Sequence, residues 1–495
     1  MNGNSISEEE LQQRFNSIRN GDDFTDPVEV IPHRKILSRL LDDIEKVDDF
    51  RGLAQAYDLH INEDQKILQK HLTVLTIEHL IESAKKRDWG MCKKHESVYL
   101  FNGAYWKKIE KDELQSFLGR AAEKIGIDGL QAKHHRFRDE LIKQFHSVAH
   151  LPTPETDDQP VLINLKNGTV EIDPKGSELV KVRNPKREDF ITYQLPFKYD
   201  SSAIAPRFKQ YLDEVLPKEK LQKILAEFIG YVFVKTEQLK LEKALILHGP
   251  GGNGKSVFFD IVNALLGPEN VSTYTLESLT NQNGYYRAKI ANRLVNYGSE
   301  ISTNMQTAMF KQLVSGEPVE ARLPYGEPFT LNNYAKLVFN CNELPTDVEH
   351  TNAFFRRFMI IPFEITIPEE DQDKQLSKKI IDSELSGVFN WVLDGLKRVL
   401  KQKGFSQSDV IQERNNQYRK ESDSVQMFIS ERGYSESMVD WTALKELYAK
   451  YKRFCEGDGY YPVAKRKFSK RLEKAGYKKV KKAEGMSFHI TSEEN

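Results

Sequence analysis

Cysteine is scarce: Cys92, Cys341 and Cys455 are the only three in 495 residues, and they stand far apart. A disulfide framework is therefore not expected, and the spacing suits a reducing compartment. Long apolar runs are missing as well. The longest stretches, such as Ala244–Leu247 and Leu337–Phe339, are interrupted within a few residues, far short of the roughly 20 that span a bilayer. No membrane span is expected. The opening MNGNSISEEELQQRF is acidic and has neither the basic start nor the apolar run of a secretory signal, so an intracellular, cytoplasmic protein is expected. Internal repeats and low-complexity tracts are also lacking. What remains is 39% hydrophobic and 29% charged, with 72 Lys+Arg against 73 Asp+Glu, the composition of a soluble globular chain of about three to four domains.

The balanced charge conceals an asymmetry. Residues 1–70 carry 15 acids against 9 bases, whereas Trp441–Lys482 carries 14 bases against 4 acids, a net of +10. Helical spacing of Leu37, Leu40, Leu41 and Ile44 predicts an acidic helical unit over residues 1–75. SVYLFNGAYWKKI, with its turn at Asn102-Gly103, followed by helical spacing over Asp112–Gly126, predicts a small mixed α/β module over 76–150. LPTPETDDQP (Leu151–Pro160) marks a boundary. VLINLKNGTVEI then predicts a hairpin around Asn167-Gly168, with helices following, in a domain over 160–235. Residues 236–400 alternate apolar strands with helix-period segments, the pattern of a mainly parallel α/β sheet. A polar linker is expected over 401–424 and a compact basic unit over 425–495.

The sequence KALILHGPGGNGKSVFFDIVNALLG holds the densest chemical signal. Gly249, Pro250, Gly251, Gly252, Asn253, Gly254, Lys255 and Ser256 match GxxxxGK[ST] at every fixed position, after an apolar strand and before a helix. Such a loop turns backbone N–H groups toward phosphate oxygens at the positive end of a helix. Lys255 is expected on the β/γ-phosphates of ATP and Ser256 on Mg²⁺. Downstream, ANRLVNYGSEI ends an apolar run with Glu300, placed to hold Mg²⁺, polarise the attacking water or do both. KLVFNCNELP ends a second buried strand with Asn342, in reach of a γ-phosphate. FFRRFMIIPF sets Arg356 and Arg357 between apolar runs, where adjacent guanidinium groups call for an anion.

This order of motifs resembles the superfamily 3 helicases of phages, plasmids and large DNA viruses, and within them the phage/plasmid primase-helicase group. ELSGVFNWVLDGL resembles that family's closing helix, and INLKNGTVEI its preceding domain. The resemblance implies an AAA+-like P-loop ATPase core, a homo-hexameric ring and ATP-driven 3′-to-5′ movement on single-stranded DNA in a host cell. It gives Lys255 and Ser256 the Walker A role, Glu300 the Walker B role, Asn342 the sensor role and Arg356/Arg357 the arginine-finger role. Here Ser299 precedes Glu300, where many P-loop motors carry a second acid. Lys311–Leu331 resembles the hairpin that enters the ring's channel, with Lys311, Arg322 and Tyr325 as expected DNA contacts.

Priming needs clustered carboxylates for two metal ions, and Met1–Pro160 offers only scattered pairs such as Asp22-Asp23 and Asp48-Asp49. His134, His135, His146 and His150 read as a basic helix. A primase catalytic domain is therefore not expected, and a separate primase or replication protein would meet the N-terminal region. Residues 442–490 predict two helices and two short strands, a winged helix with Lys465, Arg466, Lys467, Lys470 and Arg471 facing duplex DNA. An ATP-dependent replicative helicase follows as the expected function. Bifunctional primase-helicase and origin-binding initiator or ATP-gated switch are the alternatives.

Overall fold

The computed structural model describes residues 30–59, 61–62, 64–86, 90–94, 97–148, 160–173, 180–299, 301, 305–324, 326–345, 351–457, 462–483 and 485–492. Glu300, Tyr325, His150, Asp22-Asp23 and nearly all of the Leu151–Pro160 boundary lie outside them. The chain divides into two units, residues 1–201 and 202–495. Among the described residues no helix is long and apolar enough to cross a membrane.

In the first unit, strands β1 (Met91–Lys94), β2 (Ser97–Phe101) and β3 (Trp106–Lys108) form an antiparallel sheet beside helices Gln69–Lys86, Lys111–Ile125 and His135–Val148. Asn102 closes the β2–β3 turn by accepting from the N–H groups of Ala104 and Tyr105 at 3.0 and 2.8 Å. Helix Gln69–Lys86 runs through the expected boundary at residue 75. One core joins Ile36 and Leu40 to Leu100, Phe117, Phe137 and Leu141, so the helical segment and the mixed module fold as one body. A second antiparallel sheet contains β4 (Val161–Leu165), β5 (Gly168–Ile172) and β6 (Val180–Arg183).

The second unit is built on a five-stranded parallel sheet. Its strands are β7 (Ala244–His248), β8 (Val271–Ser272), β9 (Val295–Gly298), β12 (Lys336–Cys341) and β13 (Phe358–Pro362), in the order β13-β7-β12-β9-β8. Ala244, Leu245, Ile246 and Leu247 are all fully buried, as continuous apolar runs in a sheet covered on both faces must be. Between β9 and β12 comes a short antiparallel hairpin of β10 (Val319–Ala321) and β11 (Phe329–Leu331). Helix Leu376–Gln402 closes the core against helix Glu219–Tyr231.

Residues 401–424 are not the polar linker expected. Asp409–Glu421 is a helix whose buried Ile411 and Tyr418 lie seven residues apart, two turns along one face. Asn415 donates to Phe358 O at 3.0 Å and Tyr418 to Pro345 O at 2.9 Å. Two apolar positions among so many polar ones suffice because the helix only has to cover the edge of the sheet at β13.

Beyond it, helices Ser424–Glu431, Leu444–Gly457 and Lys465–Lys474 enclose Phe428, Leu447, Tyr451, Phe454, Phe468 and Leu472. The strands here are β14 (Tyr434–Glu436), β15 (Thr442–Ala443), β16 (Lys479–Lys482), β17 (Gly485–Phe488) and β18 (Ile490–Ser492), paired β14-β18 and β15-β17-β16. Two consecutive helices thus lead into an antiparallel hairpin.

Candidate functional site

Because the sheet is parallel, the carboxyl ends of β7, β9 and β12 face one way, and in open α/β sheets ligands bind outside those ends. Strand β7 runs out at His248, the chain turns through Gly249–Gly254, and helix Lys255–Leu266 begins. Two glycines are demanded by space. A Cβ on Gly249 would stand 2.0 Å from Phe363 O. Gly254 has φ of 83°, and a Cβ there would stand 2.8 Å from Val215 Cγ1 and 3.0 Å from Tyr211 Cε2. The loop is pinned from three sides: Tyr211 donates to Gly254 O at 2.8 Å, Asn253 donates to Phe363 O at 2.7 Å, and Ile367 N–H donates to Gly252 O at 2.9 Å.

Lys255 is buried, and its ammonium donates to Gly249 O at 2.6 Å, Pro250 O at 3.0 Å and Asn253 Oδ1 at 2.9 Å. Burial lowers its pKa from the ordinary lysine value. Burial, with the charges of Arg414 and Lys255, also lowers that of His248 at the strand end. Ser256 is exposed at the mouth. Loop, helix and surroundings line a cleft of about 790 Å³. Its lining includes Gly251–Val257, Asp260 and Asn342, together with Arg207, Gln210, Tyr211 and Glu214 and, beyond β13, Ile367, Gln372 and Lys379. Asn342, at the end of β12, is exposed in this cleft together with the loop.

A residue unremarked in the sequence ties the strands to the loop. Asn340 donates to Lys255 O at 3.3 Å and accepts from the Tyr297 hydroxyl at 3.0 Å. Tyr297 is buried on β9, three residues before Glu300, and burial raises its pKa well above the usual value. The available signal was proximity: Asn340 is on β12, and Asn342 directly follows its last residue, Cys341.

The other expected site residues divide. Arg356 and Arg357 precede β13, whose Phe358 pairs with Ala244 at the start of β7. They therefore stand at the amino end of the sheet, about 16 Å from the loop along five strand residues. Arg357 is buried, donates to Ser315 Oγ at 2.9 Å and to Ala353 O, and leaves its Nε unpaired. It belongs to the core. Arg356 is half exposed and pairs with Glu242 at 2.6 Å.

Lys311 is not on the hairpin but on helix Thr307–Ser315, because the segment's first third has helical spacing around Phe310 and Leu313. Arg322 lies just past β10 and is held down, donating to Asn283 O at 3.1 Å with its guanidinium 5.2 Å from the Tyr285 ring centre. Lys465, Arg466, Lys467 and Lys470 are exposed on their helix. Arg471 is not with them: it pairs with buried Asp423 at 3.0 Å. Among the described residues no group of three or more His, Cys, Asp or Glu is placed to hold a metal ion.

Known proteins match this chain in pieces. Residues 69–217 match a family described as D5 N terminal like, residues 420–494 one described as Poxvirus D5 protein-like, and residues 247–357 a family of unknown function, DUF5906. Two curated viral relatives are named provisionally as helicases. L207/L206 of Acanthamoeba polyphaga mimivirus is 23% identical over 61% of this chain and 34% of its own length. 121R of Invertebrate iridescent virus 3 is 24% identical over 46% of this chain and 26% of its own. The chain thus spans about a third or less of these relatives. Two apo structures of the NrS-1 C-terminal region align with TM-scores of 0.42 and 0.45, at 15% and 12% identity, over 80% and 85% of this chain and 93% and 100% of theirs. Together the matched families and viral relatives support a primase-helicase type of family at low identity.

Proposed function

We propose that this chain is an ATP-dependent replicative DNA helicase of the superfamily 3 type, with an AAA+-like core that works as a homo-hexameric ring. One observation carries the proposal: a glycine loop with a buried lysine, and an asparagine from the adjacent strand β12, open together into one cleft at the carboxyl ends of a parallel sheet. The helicase names of the viral relatives supply the reaction class.

The residues present fit a nucleoside triphosphate. Gly251 has open space around it, Gly252 and Gly254 take positive φ, and helix Lys255–Leu266 points its amino end at the loop. Lys255 would exchange its three loop acceptors for β- and γ-phosphate oxygens. Ser256 and Glu300 would hold Mg²⁺, which neutralises charge developing on the phosphates. Asn342 would orient the γ-phosphate or the attacking water. Asn340 keeps the first residue of the loop helix at a fixed height above β12 and β9. Arg356 stands too far from its own loop to serve it, so its phosphate would be a neighbouring subunit's.

Single-stranded DNA would pass the β10–β11 hairpin. The C-terminal helices and hairpin, read as a winged helix, would hold duplex DNA through Lys465, Arg466, Lys467 and Lys470, and a separate primase or replication protein would meet the N-terminal unit. The test is strand separation of a tailed duplex by the full chain with ATP and Mg²⁺, with Lys255→Ala as the control. ATP hydrolysis stimulated by single-stranded DNA without strand separation would favour the ATP-gated switch; primer synthesis by the same preparation would favour the bifunctional enzyme.

A further inference from the structure

Arg356 does not hang free at the amino end of the sheet. Glu242, two residues before β7, has φ of 52°, a left-handed conformation that Cβ-bearing residues seldom take. In that conformation its carboxylate meets the Arg356 guanidinium at 2.6 Å. The same carboxylate lies 3.8 Å from Arg357 and 3.7 Å from Lys240. Lys243, half-buried next to it, donates to the main-chain oxygen of Arg356. Arg356 is thus gripped at both ends, by Glu242 on its side chain and by Lys243 on its backbone. Four cations (Lys240, Lys243, Arg356, Arg357) share two carboxylates here, Glu242 and Glu317. The excess positive charge suits an anion brought from outside, and 53% exposure of the Arg356 side chain leaves one edge of its guanidinium for it.

Resting on the functional reading above, we propose that Glu242 is a positioning residue for catalysis across the subunit interface. It grips one edge of the Arg356 guanidinium so that the other edge is presented to the γ-phosphate in the neighbouring subunit's loop. A finger must meet its phosphate within a narrow geometry, and a misplacement of about 1 Å can cost on the order of 10²-fold in rate. A backbone strain held at this one position is what such aiming requires.

The experiment compares Glu242→Gln, Arg356→Ala and the double variant in the full chain, measuring nucleotide affinity, steady-state kcat and, for slow variants, single-turnover hydrolysis with enzyme in excess. Arg356→Ala should lose about 10³-fold or more in kcat. Glu242→Gln should lose roughly 10- to 100-fold, with nucleotide affinity unchanged in both. The double variant should be no slower than Arg356→Ala alone, because Glu242 acts only through that arginine. Glu242→Gly relaxes the backbone while removing the carboxylate, so it should lose turnover like Glu242→Gln; wild-type turnover in it overturns the positioning role. Wild-type kcat in Glu242→Gln beside a dead Arg356→Ala overturns the positioning role and leaves the functional reading standing. Multiplying losses in the double variant also overturn it, since Glu242 then serves the fold. Normal hydrolysis by Arg356→Ala overturns the shared active site and this role with it.

Discussion

Replacing Lys255 by alanine should do two separable things, because the lysine both holds its own loop together and is the proposed phosphate ligand. Its ammonium satisfies Gly249 O, Pro250 O and Asn253 Oδ1 at 2.6–3.0 Å. A hydrogen bond from a charged donor contributes about 1.5–3 kcal/mol, and a buried acceptor left unmade costs about 1–3 kcal/mol. These acceptors border an open cleft, so water replaces part of the loss, and a net destabilisation of about 1–3 kcal/mol follows. At roughly 2–4 °C per kcal/mol for a large domain, the variant should melt about 2–12 °C below wild type. The second effect is on binding. Nucleotide at about 100 times its Kd stabilises the native state by about 2.7 kcal/mol, and the variant should lose that shift together with hydrolysis. Differential scanning calorimetry with and without ATP and Mg²⁺, beside a phosphate-release assay, reads both. An unchanged ligand-free melt would show that the three bonds carry no net stability. A retained ATP-dependent shift with retained hydrolysis would refute the assignment of the loop as the phosphate site.

Mixing Lys255→Ala with Arg356→Ala should restore part of the ATPase activity, since some interfaces then pair an intact loop with an intact arginine. A mixture that stays dead, when subunit exchange and single-interface turnover are independently demonstrated, would place the arginine's action within its own subunit. Arg357→Ala should instead lower thermal stability by about 2–4 kcal/mol, because Ser315 Oγ and Ala353 O lose a buried charged donor; an unchanged melt would contradict its core role. Charge reversal of Lys465, Arg466 and Lys467 should weaken duplex binding and flatten its salt dependence, whereas Asp423→Ala should destabilise the C-terminal helices by stranding Arg471. Lys336, half-buried at the start of β12 against Thr236 and the Tyr231 ring, has its pKa lowered by desolvation to about 8. Between pH 8 and 10.5 the unfolded chain binds the extra proton, so this residue's penalty is full below pH 8 and is relieved as pH rises. Lys336→Met should therefore raise stability by up to about 3 kcal/mol at pH 7 and gain progressively less above pH 8, as pH-dependent urea unfolding would show.

Legibility in the sequence followed the range of the forces involved. The β7–loop–helix element was readable because everything that shapes it is contiguous: four apolar residues, a run of glycines, then helical spacing ending at Gly267-Pro268. The hairpin at Asn167-Gly168 was readable for the same reason. Asp409–Glu421 was not, since its two buried residues gain their meaning only from β13, some fifty residues upstream. The single core of the first unit was equally hidden, because Ile36 and Leu141 belong to one core although about a hundred residues separate them, and no local pattern announces it.

The site shows the same division within single motifs. Five lysines and arginines in KRKFSKR look alike, yet Arg471 is spent on Asp423, a partner 48 residues away. Arg356 and Arg357 are neighbours with opposite fates, decided by Ser315 and Glu242, 42 and 114 residues away. Adjacent guanidinium groups between apolar runs raised the expectation of an anion, and the parallel register of β13 on β7 places the arginines themselves. Phe358 opposite Ala244 puts the arginines at the amino ends of the strands, while the loop lies at the carboxyl ends. Side-chain reach is about 7 Å, less than half of that separation of about 16 Å, so no rotamer of Arg356 brings it to its own Lys255. If Arg356 acts on a phosphoryl group at all, the geometry requires the phosphate of another molecule, and catalysis is then inseparable from assembly.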